Sequence, residues 1–369
     1  MTTGETALGT PAAPAYGELR ELLWRALIDC DGAGAVALVR DAVRADASVQ
    51  VPIAAERVLL DLIAPVQERV GTEWAADRIS VAQEHAATAT NERCVSAVAD
   101  TAASALPGQR LGRVTVACVD GEWHALPARL VTEVLRLRGW TVDHLGAQVP
   151  TEHLIAHLHR RACDAVLLSS SIPARLPAAH TAISACRTTG TPVMAGGAAF
   201  GPDGRYARRM RAAWAPDAVG AHTLLVQGLE RPTVEAARLP DLDLPHLSDQ
   251  EYTLVGKTKR RLVKQTLADV EEAFAPMRRY SSSQRERTAE DIDHIVTYLG
   301  TALYVDDADL FTTFVTWTAG ILGARGVPPA ALLPALDSLL RQLTDFPRAE
   351  AILTAARTTL TVPGPGRPV

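Results

Sequence analysis

Between Arg113 and Gly220, short apolar runs rich in β-branched residues alternate with helical segments, and this alternation constrains the fold more than any other feature of the chain. Arg113 to Val119 (RVTVACV) has no polar alternation, as expected of a strand buried on both faces. A helical stretch follows from Ala125 to Arg138, then a strand from Thr141 to Leu145 and a helix from Thr151 to Arg161. A strand from Ala165 to Ser170, a helix from Ala178 to Thr188 and a strand from Pro192 to Ala195 come next, the last ending in Gly196-Gly197. A final helix and a short strand at Ala218 to Gly220 close the series. Parallel neighbours need a crossover helix, so the series predicts a doubly wound, flavodoxin-like parallel sheet with its ligand at the carboxyl ends of the strands.

The flanks are helical. Leu19, Leu22, Leu23, Ala26 and Leu27 recur at three- and four-residue spacing, as do Val58, Leu59, Leu62, Ile63 and Val66. Residues 16–106 therefore read as a cap of four or five helices, and residues 1–15, small and Pro-containing, as a disordered leader. The α/β domain takes residues 107–230, and the Pro- and Asp-bearing stretch 231–249 reads as a linker. Residues 250–360 read as an all-α domain, globin-like or a bundle, with helices at Thr258 to Phe274, Ala289 to Leu303, Leu310 to Ala324 and from Pro328-Pro329 to Leu343. Leu310 to Ala324 is apolar nearly all round and is expected to be buried. Residues 361–369 read as a disordered tail.

Composition bounds the function classes. Of 369 residues, 47% are hydrophobic and 21% charged, an ordinary globular balance. A net charge of −5 argues against binding that rests on neutralising nucleic-acid phosphates. No run of eighteen apolar residues predicts a membrane span, and Met1 to Pro14 lacks the plan of a signal peptide. The five cysteines are scattered without a C-x-x-C pair, which fits a reducing cytoplasm.

The most informative segment follows the first strand: Asp120-Gly121-Glu122-Trp123-His124-Ala125-Leu126-Pro127. A histidine there stands at the sheet's ligand edge. The carboxylate of Glu122, two residues earlier, can accept the proton of one ring nitrogen, fix the tautomer and make the other nitrogen a better metal ligand. The segment resembles the Asp/Glu-x-His-x-x-Gly motif of cobalamin-binding domains, with Pro127 where that family usually has glycine. The resemblance implies that His124 is the lower axial ligand of cobalt, flanked by Trp123. It also implies that Ser169 and Ser171, in Ser169-Ser170-Ser171, receive the buried nucleotide tail, and that Gly196-Gly197 lets the backbone pass close to it.

In the cap, Trp74 is followed after nine residues by Glu84-His85. This pattern resembles the four-helix cap of light-sensing adenosylcobalamin regulators. By that resemblance Trp74 covers the adenosyl group, with Glu84 and His85 hydrogen-bonding beside it. The second histidine that follows the tryptophan in the best-known relatives is replaced by Ala75, so a bis-histidine photoproduct by that route is not expected. The C-terminal stretch from Asp291 to Leu299, and again from Asp306 to Trp317, resembles the helical domain of photocobilins, which pair a cobalamin domain with a biliverdin-binding one. All five cysteines precede the linker, so a bilin there would be held non-covalently. His294 and Tyr298 share a helix face at i,i+4 spacing, Trp317 and Phe314 are candidates to line an apolar slot, and Arg278, Arg279 or the basic run Lys257 to Arg261 are candidates for the propionates.

The resulting expectation is a photoreceptor rather than an enzyme, holding adenosylcobalamin between cap and α/β domain and biliverdin in the C-terminal domain. Its output would be a light-dependent change in homo-oligomeric association or in an effector protein. The alternative is a corrinoid carrier of a methyltransferase system. A cobalamin mutase would need a barrel of about 250 residues, for which residues 246–369 are too few. A light-controlled transcription factor would need a DNA-reading module, which is not found. His153, His157 and His159 read as a solvated helix face rather than a zinc site, and no Gly-x-Gly-x-x-Gly follows the first strand.

Overall fold

The computed structural model describes residues 16–46, 49–108, 110–233 and 246–361. The leader, most of the linker and the tail lie outside them. Packing divides the chain into two compact units. One holds residues 1–74, 78–113 and 126–144, the other residues 75–77, 114–125 and 145–369.

The first unit is built on helices α1 (Tyr16–Ile28), α2 (Gly32–Ala45), α3 (Val51–Arg57), α4 (Ala64–Ala75) and α5 (Val81–Ala102). On α1 the buried stripe is Leu23 and Leu27, whereas Leu22 is 43% exposed. The three- and four-residue spacing predicts Leu22 on the core face, but at 100° per residue it turns away from Leu23 and Leu27. Between α3 and α4 the chain makes a π-helical turn, Val58–Ile63. Its wider turn brings Val58, Leu59, Leu62 and Ile63 all into the core. A capping box starts α5: the Ser80 hydroxyl accepts from the Gln83 amide, and the Gln83 side chain accepts from the Ser80 amide.

The strands are β1 (Gly112–Cys118), β2 (Trp140–Gly146), β3 (Ala165–Ser169), β4 (Val193–Gly196) and β5 (Ala213–Trp214). Their order in the sheet is β2-β1-β3-β4-β5, the flavodoxin-like doubly wound order expected from the sequence. The parallel registers pair Cys118 with Ser169 and Ser169 with Gly196, so three strands end level at one edge. The crossover helices are α6 (Ala125–Leu137), α7 (Thr151–Arg160), α8 (Leu176–Thr188) and the short α9 (Arg205–Arg209), with α10 (Ala218–Gln227) closing the series. Ala218 to Gly220, expected as a short strand, is instead the first turn of α10, capped by the Asp217 side chain on the Gly220 amide at 2.7 Å, and the last strand is Ala213–Trp214.

After a single turn at His246–Asp249 come α11 (Glu251–Ala273), α12 (Ser282–Val305), α13 (Ala308–Ala324), α14 (Leu333–Gln342) and α15 (Pro347–Thr361). The region is all-helical as expected, with α15 added to the four helices read from the sequence. Helix α13 is not buried all round. Phe311, Phe314 and Val315 face the core, while Thr313, Thr316 and the half-exposed Trp317 form its outer face. One contiguous hydrophobic core runs from β1, β3 and β4 through α8 and α9 into α12, α13, α14 and α15. Polar contacts fasten the same join. The Tyr304 hydroxyl lies 2.6 Å from His180 Nδ1, and the Asp307 carboxylate accepts from the Tyr206 hydroxyl at 2.9 Å and from Arg205 at 3.1 Å.

Candidate functional site

The carboxyl edge of the sheet is organised around Glu122. Gly121, at φ +73°, turns the chain back after β1 and directs the Glu122 side chain inward, where it is 1% exposed. One carboxylate oxygen accepts from His124 Nδ1 at 2.6 Å and from the His124 amide at 3.0 Å. The other accepts from the Ser170 hydroxyl at 3.0 Å and from the amides of Ser171 and Ile172 at 2.7 and 3.1 Å. Burial by itself pushes this carboxyl up, but the hydrogen bonds from His124, Ser171 and Ile172 outweigh it and hold the pKa down at about 2. The result is a fixed buried anion bridging the loops after β1 and β3. In this strand order the chain's switch point lies between those two strands, where doubly wound sheets place their ligands.

His124 is held through Nδ1 and through its own backbone, while its side chain remains 56% exposed. With Nδ1 donating to the carboxylate, a neutral His124 carries its lone pair on Nε2, the form in which imidazole ligates a metal. Trp123 beside it is 71% exposed. Cys118 lies beneath the loop, its thiol donating to the His124 carbonyl at 3.8 Å. Burial, aided by the charge of Glu122, pushes that thiol up to about 12, so it stays protonated.

The glycines and serines take on duties the motif alone did not reveal. Gly197 has φ +99°, and a Cβ there would lie 2.3 Å from the Ser170 carbonyl oxygen. The glycine is required by the packing of one loop on the other. Gly196 ends β4, with the Ala215 carbonyl 3.4 Å from where its Cβ would stand. Ser169 is buried at the end of β3, and Ser171 is half-buried. The serine that bonds Glu122 through its side chain is Ser170, grouped in the sequence with its neighbours but not singled out. Arg175, on the 3-10 turn Pro173–Arg175, was also missed. Its guanidinium lies 2.9 Å from where a Cβ on Gly121 would stand. The available signal was its place shortly after a strand's carboxyl end.

In the helical unit, Gln67, Gly71 and Trp74 fall on one face of α4, and Glu84, Thr88 and Asn91 on one face of α5, both at heptad-like spacing. The two faces meet in a polar ladder. Thr88 donates to Glu84 at 2.9 Å, Gln67 donates to Thr88 at 2.8 Å, and Asn91 donates to Gln67 at 2.7 Å. A Cβ on Gly71 would meet no atom within 4 Å, so the face between Gln67 and the half-buried Trp74 is open. His85 is exposed, its Nδ1 2.6 Å from Glu84 and 2.9 Å from the Val81 carbonyl.

In the C-terminal helices, Tyr298 stacks on Phe314 with ring centroids 3.7 Å apart and 8° between planes, and Phe314 meets the tilted Trp317 at 6.5 Å. Burial pushes the Tyr298 hydroxyl up to about 12, with the charge of Glu122 adding to the shift and Arg175 opposing it. The aromatic group therefore lies within electrostatic reach of the β1 and β3 loops. His294 is exposed one turn before Tyr298. Arg278 and Arg279 stand exposed on a separate 3-10 turn, Ala275–Arg279. Beside that turn, Met277, Tyr280, Ile292 and Ile295 line a cavity of about 200 Å³.

Residues 112–221 match a protein-family model described as B12 binding domain, and residues 19–99 match a second model of the same description. The two segments are B12-binding domains. The cofactor class of this cobalamin-binding chain is thereby a corrinoid. Among solved structures, the monomethylamine corrinoid protein of Methanosarcina barkeri is 20% identical, covering 58% of this chain and 99% of its own at a TM-score of 0.47. A cobalamin-binding protein from Desulfitobacterium hafniense DCB-2 is 18% identical, covering 56% and 96% at 0.31. The methanol:cobalamin methyltransferase complex of Methanosarcina barkeri is 16% identical, covering 60% and 84% at 0.31. No curated protein matches the chain. No helix among the described residues is long and apolar enough to cross a membrane.

Proposed function

We propose that this cobalamin-binding protein is a light sensor that holds adenosylcobalamin with His124 as the lower axial ligand and binds biliverdin non-covalently among the C-terminal helices. The observation that carries the reading is the geometry of His124: an exposed imidazole whose Nδ1 is committed to a buried carboxylate. Residue by residue, the donor set fits a corrinoid. Glu122 fixes the tautomer and raises the basicity of Nε2, and the locked loops after β1, β3 and β4 hold the imidazole in place. When bound, adenosylcobalamin supplies a cobalt–carbon bond that visible light breaks. Trp74 would cover the adenosyl group, and Glu84 and His85 would hydrogen-bond beside it. Loss of that group would remove what these side chains pack against and favour a second arrangement of the cap. For the bilin, Tyr298, Phe314 and Trp317 would offer an aromatic wall, His294 a polar group at the pyrrole nitrogens, and Arg278 or Arg279 cations for the propionates. The output would be a light-dependent change of association between copies or with an effector protein, without catalysis by this chain.

The test is one absorbance experiment. Protein is mixed with adenosylcobalamin and biliverdin in the dark, desalted, scanned, and scanned again after green light. Retention of both chromophores and a shift of the cobalamin bands within seconds support the reading. Loss of adenosylcobalamin with retention of methylcobalamin would instead make the chain a methyl carrier. In His124→Ala the bands of bound cobalamin should change, and unchanged bands would exclude His124 as ligand.

A further inference from the structure

The cavity of about 200 Å³ beside the Ala275–Arg279 turn lies wholly among the C-terminal helices, between α11, α12, α13, α14 and the 3-10 turn Pro329–Leu332. Its lining is graded. Val270, Met277, Ile292, Ile295 and Leu332 are buried and form an apolar floor, whereas Gln284, Arg287 and Asp291 are exposed. The grading comes from one face of α12. Gln284, Thr288, Asp291, Ile292 and Ile295 recur at three- and four-residue spacing, so that face starts polar and continues apolar.

The polar rim has a surplus of donors. Among the described residues Arg287 makes no hydrogen bond and no ion pair. Gln284 Oε1 accepts from the Ser281 amide at 2.9 Å, which leaves the NH₂ group of the same side chain to donate. The half-buried Tyr280 donates its hydroxyl to no described residue. Asp291 is the one carboxylate of the lining. Burial pushes it up, and the charges that oppose this are those of His294 and Arg325, not that of Arg287.

We infer that this cavity binds a small aromatic monocarboxylate, one ring bearing one carboxylate. An apolar cavity of about 150 Å³ admits a single benzene ring, so about 200 Å³ takes a ring and leaves room for a head group of a few atoms. The ring would lie on the buried isoleucines beside Phe274, and the carboxylate would meet the Arg287 fork, which matches two carboxylate oxygens at once. The same arithmetic excludes a linear tetrapyrrole with its four rings. The lining shares no residue with Glu122 and His124, nor with Tyr298, Phe314 and Trp317, so the site stands independently of both chromophores of the proposed function.

The experiment is a ligand-observed NMR titration of the full chain with benzoate, benzyl alcohol and benzylamine, repeated on Arg287→Gln and on Ala331→Phe. Arg287 is exposed and Ala331 half-buried on the cavity wall, so both variants are expected to fold. Benzoate should bind saturably and benzylamine should not. Arg287→Gln should weaken benzoate about tenfold and leave benzyl alcohol unchanged, since one charge-assisted contact is removed. Ala331→Phe should weaken benzoate and benzyl alcohol together by filling the space. Saturating biliverdin should leave the benzoate affinity as it was. No saturable benzoate binding, benzylamine bound as tightly as benzoate, benzoate affinity unchanged in either variant, or displacement of benzoate by biliverdin would overturn the inference.

Discussion

Glu122→Gln isolates the buried anion that organises the sheet edge. The amide has the size of the carboxylate, but one oxygen becomes an NH₂ group. Both carboxylate oxygens of Glu122 receive donors, two at one and three at the other. Whichever way the amide turns, its NH₂ faces donors, so buried hydrogen bonds are lost on one side. A carboxyl held near 2 in the folded chain rather than at the ordinary 4.5 contributes about 3 kcal/mol to folding at neutral pH. Because the folded-state pKa lies below the unfolded one, this stability is complete above about pH 5 and drains away as the pH falls towards 2, with roughly half left at pH 3. Urea unfolding of the apoprotein, followed by circular dichroism, should therefore show the variant about 3 kcal/mol less stable at pH 7. The gap should shrink at pH 3, because the unfolded parent has by then taken up a proton on its ordinary carboxyl, whereas the variant's amide does not titrate. A gap below about 1 kcal/mol at pH 7, or one unchanged between pH 7 and 3, would refute the argument that Glu122 is a hydrogen-bonded anion.

Other substitutions test neighbouring features. Gly197→Ala would place a methyl group 2.3 Å from the Ser170 carbonyl at φ +99°, and should cost at least about 3 kcal/mol by the same urea assay. Tyr304→Phe removes the 2.6 Å hydrogen bond to His180 and should lower stability by about 1–2 kcal/mol in thermal unfolding. Trp123→Ala, at a position 71% exposed, should leave apoprotein stability within about 0.5 kcal/mol while weakening cobalamin retention on a desalting column. Truncation before Gln250 strips α12 and α13 from a core shared with β3 and α8, so the remainder should be less soluble and melt lower than the full chain in calorimetry.

Much of the architecture was legible because it is local. The β-branched runs and their spacing predicted strands β1 to β4 within a residue or two, since period and burial on both faces leave little choice of conformation. The two-residue strand β5 was misplaced because Ala213–Trp214 is too short to carry a periodic signal. Helix α13 looked buried all round from composition, yet Trp317 is half exposed, since composition does not say which neighbours arrive. The start of α5 was written openly in Ser80 and Gln83 and could have been read as a capping box.

At the site the same division holds. The hydrogen bond between Glu122 and His124 spans two residues within one turn, so the sequence by itself determined it, through short-range geometry and the permissive backbone of Gly121. The three donors that complete the anion, Ser170, Ser171 and Ile172, lie 48 to 50 residues away. The reason for Gly197, the Ser170 carbonyl beside it, also comes from a different strand end, 27 residues away. Only the tertiary structure decided that Tyr298, from the C-terminal helices, stands in the field of Glu122 and Arg175. It likewise decided that side chains scattered from Val270 to Ala335 line one cavity. Local geometry follows from neighbouring residues, but contacts across the sheet depend on how the crossovers bring distant strand ends level, which no local pattern records.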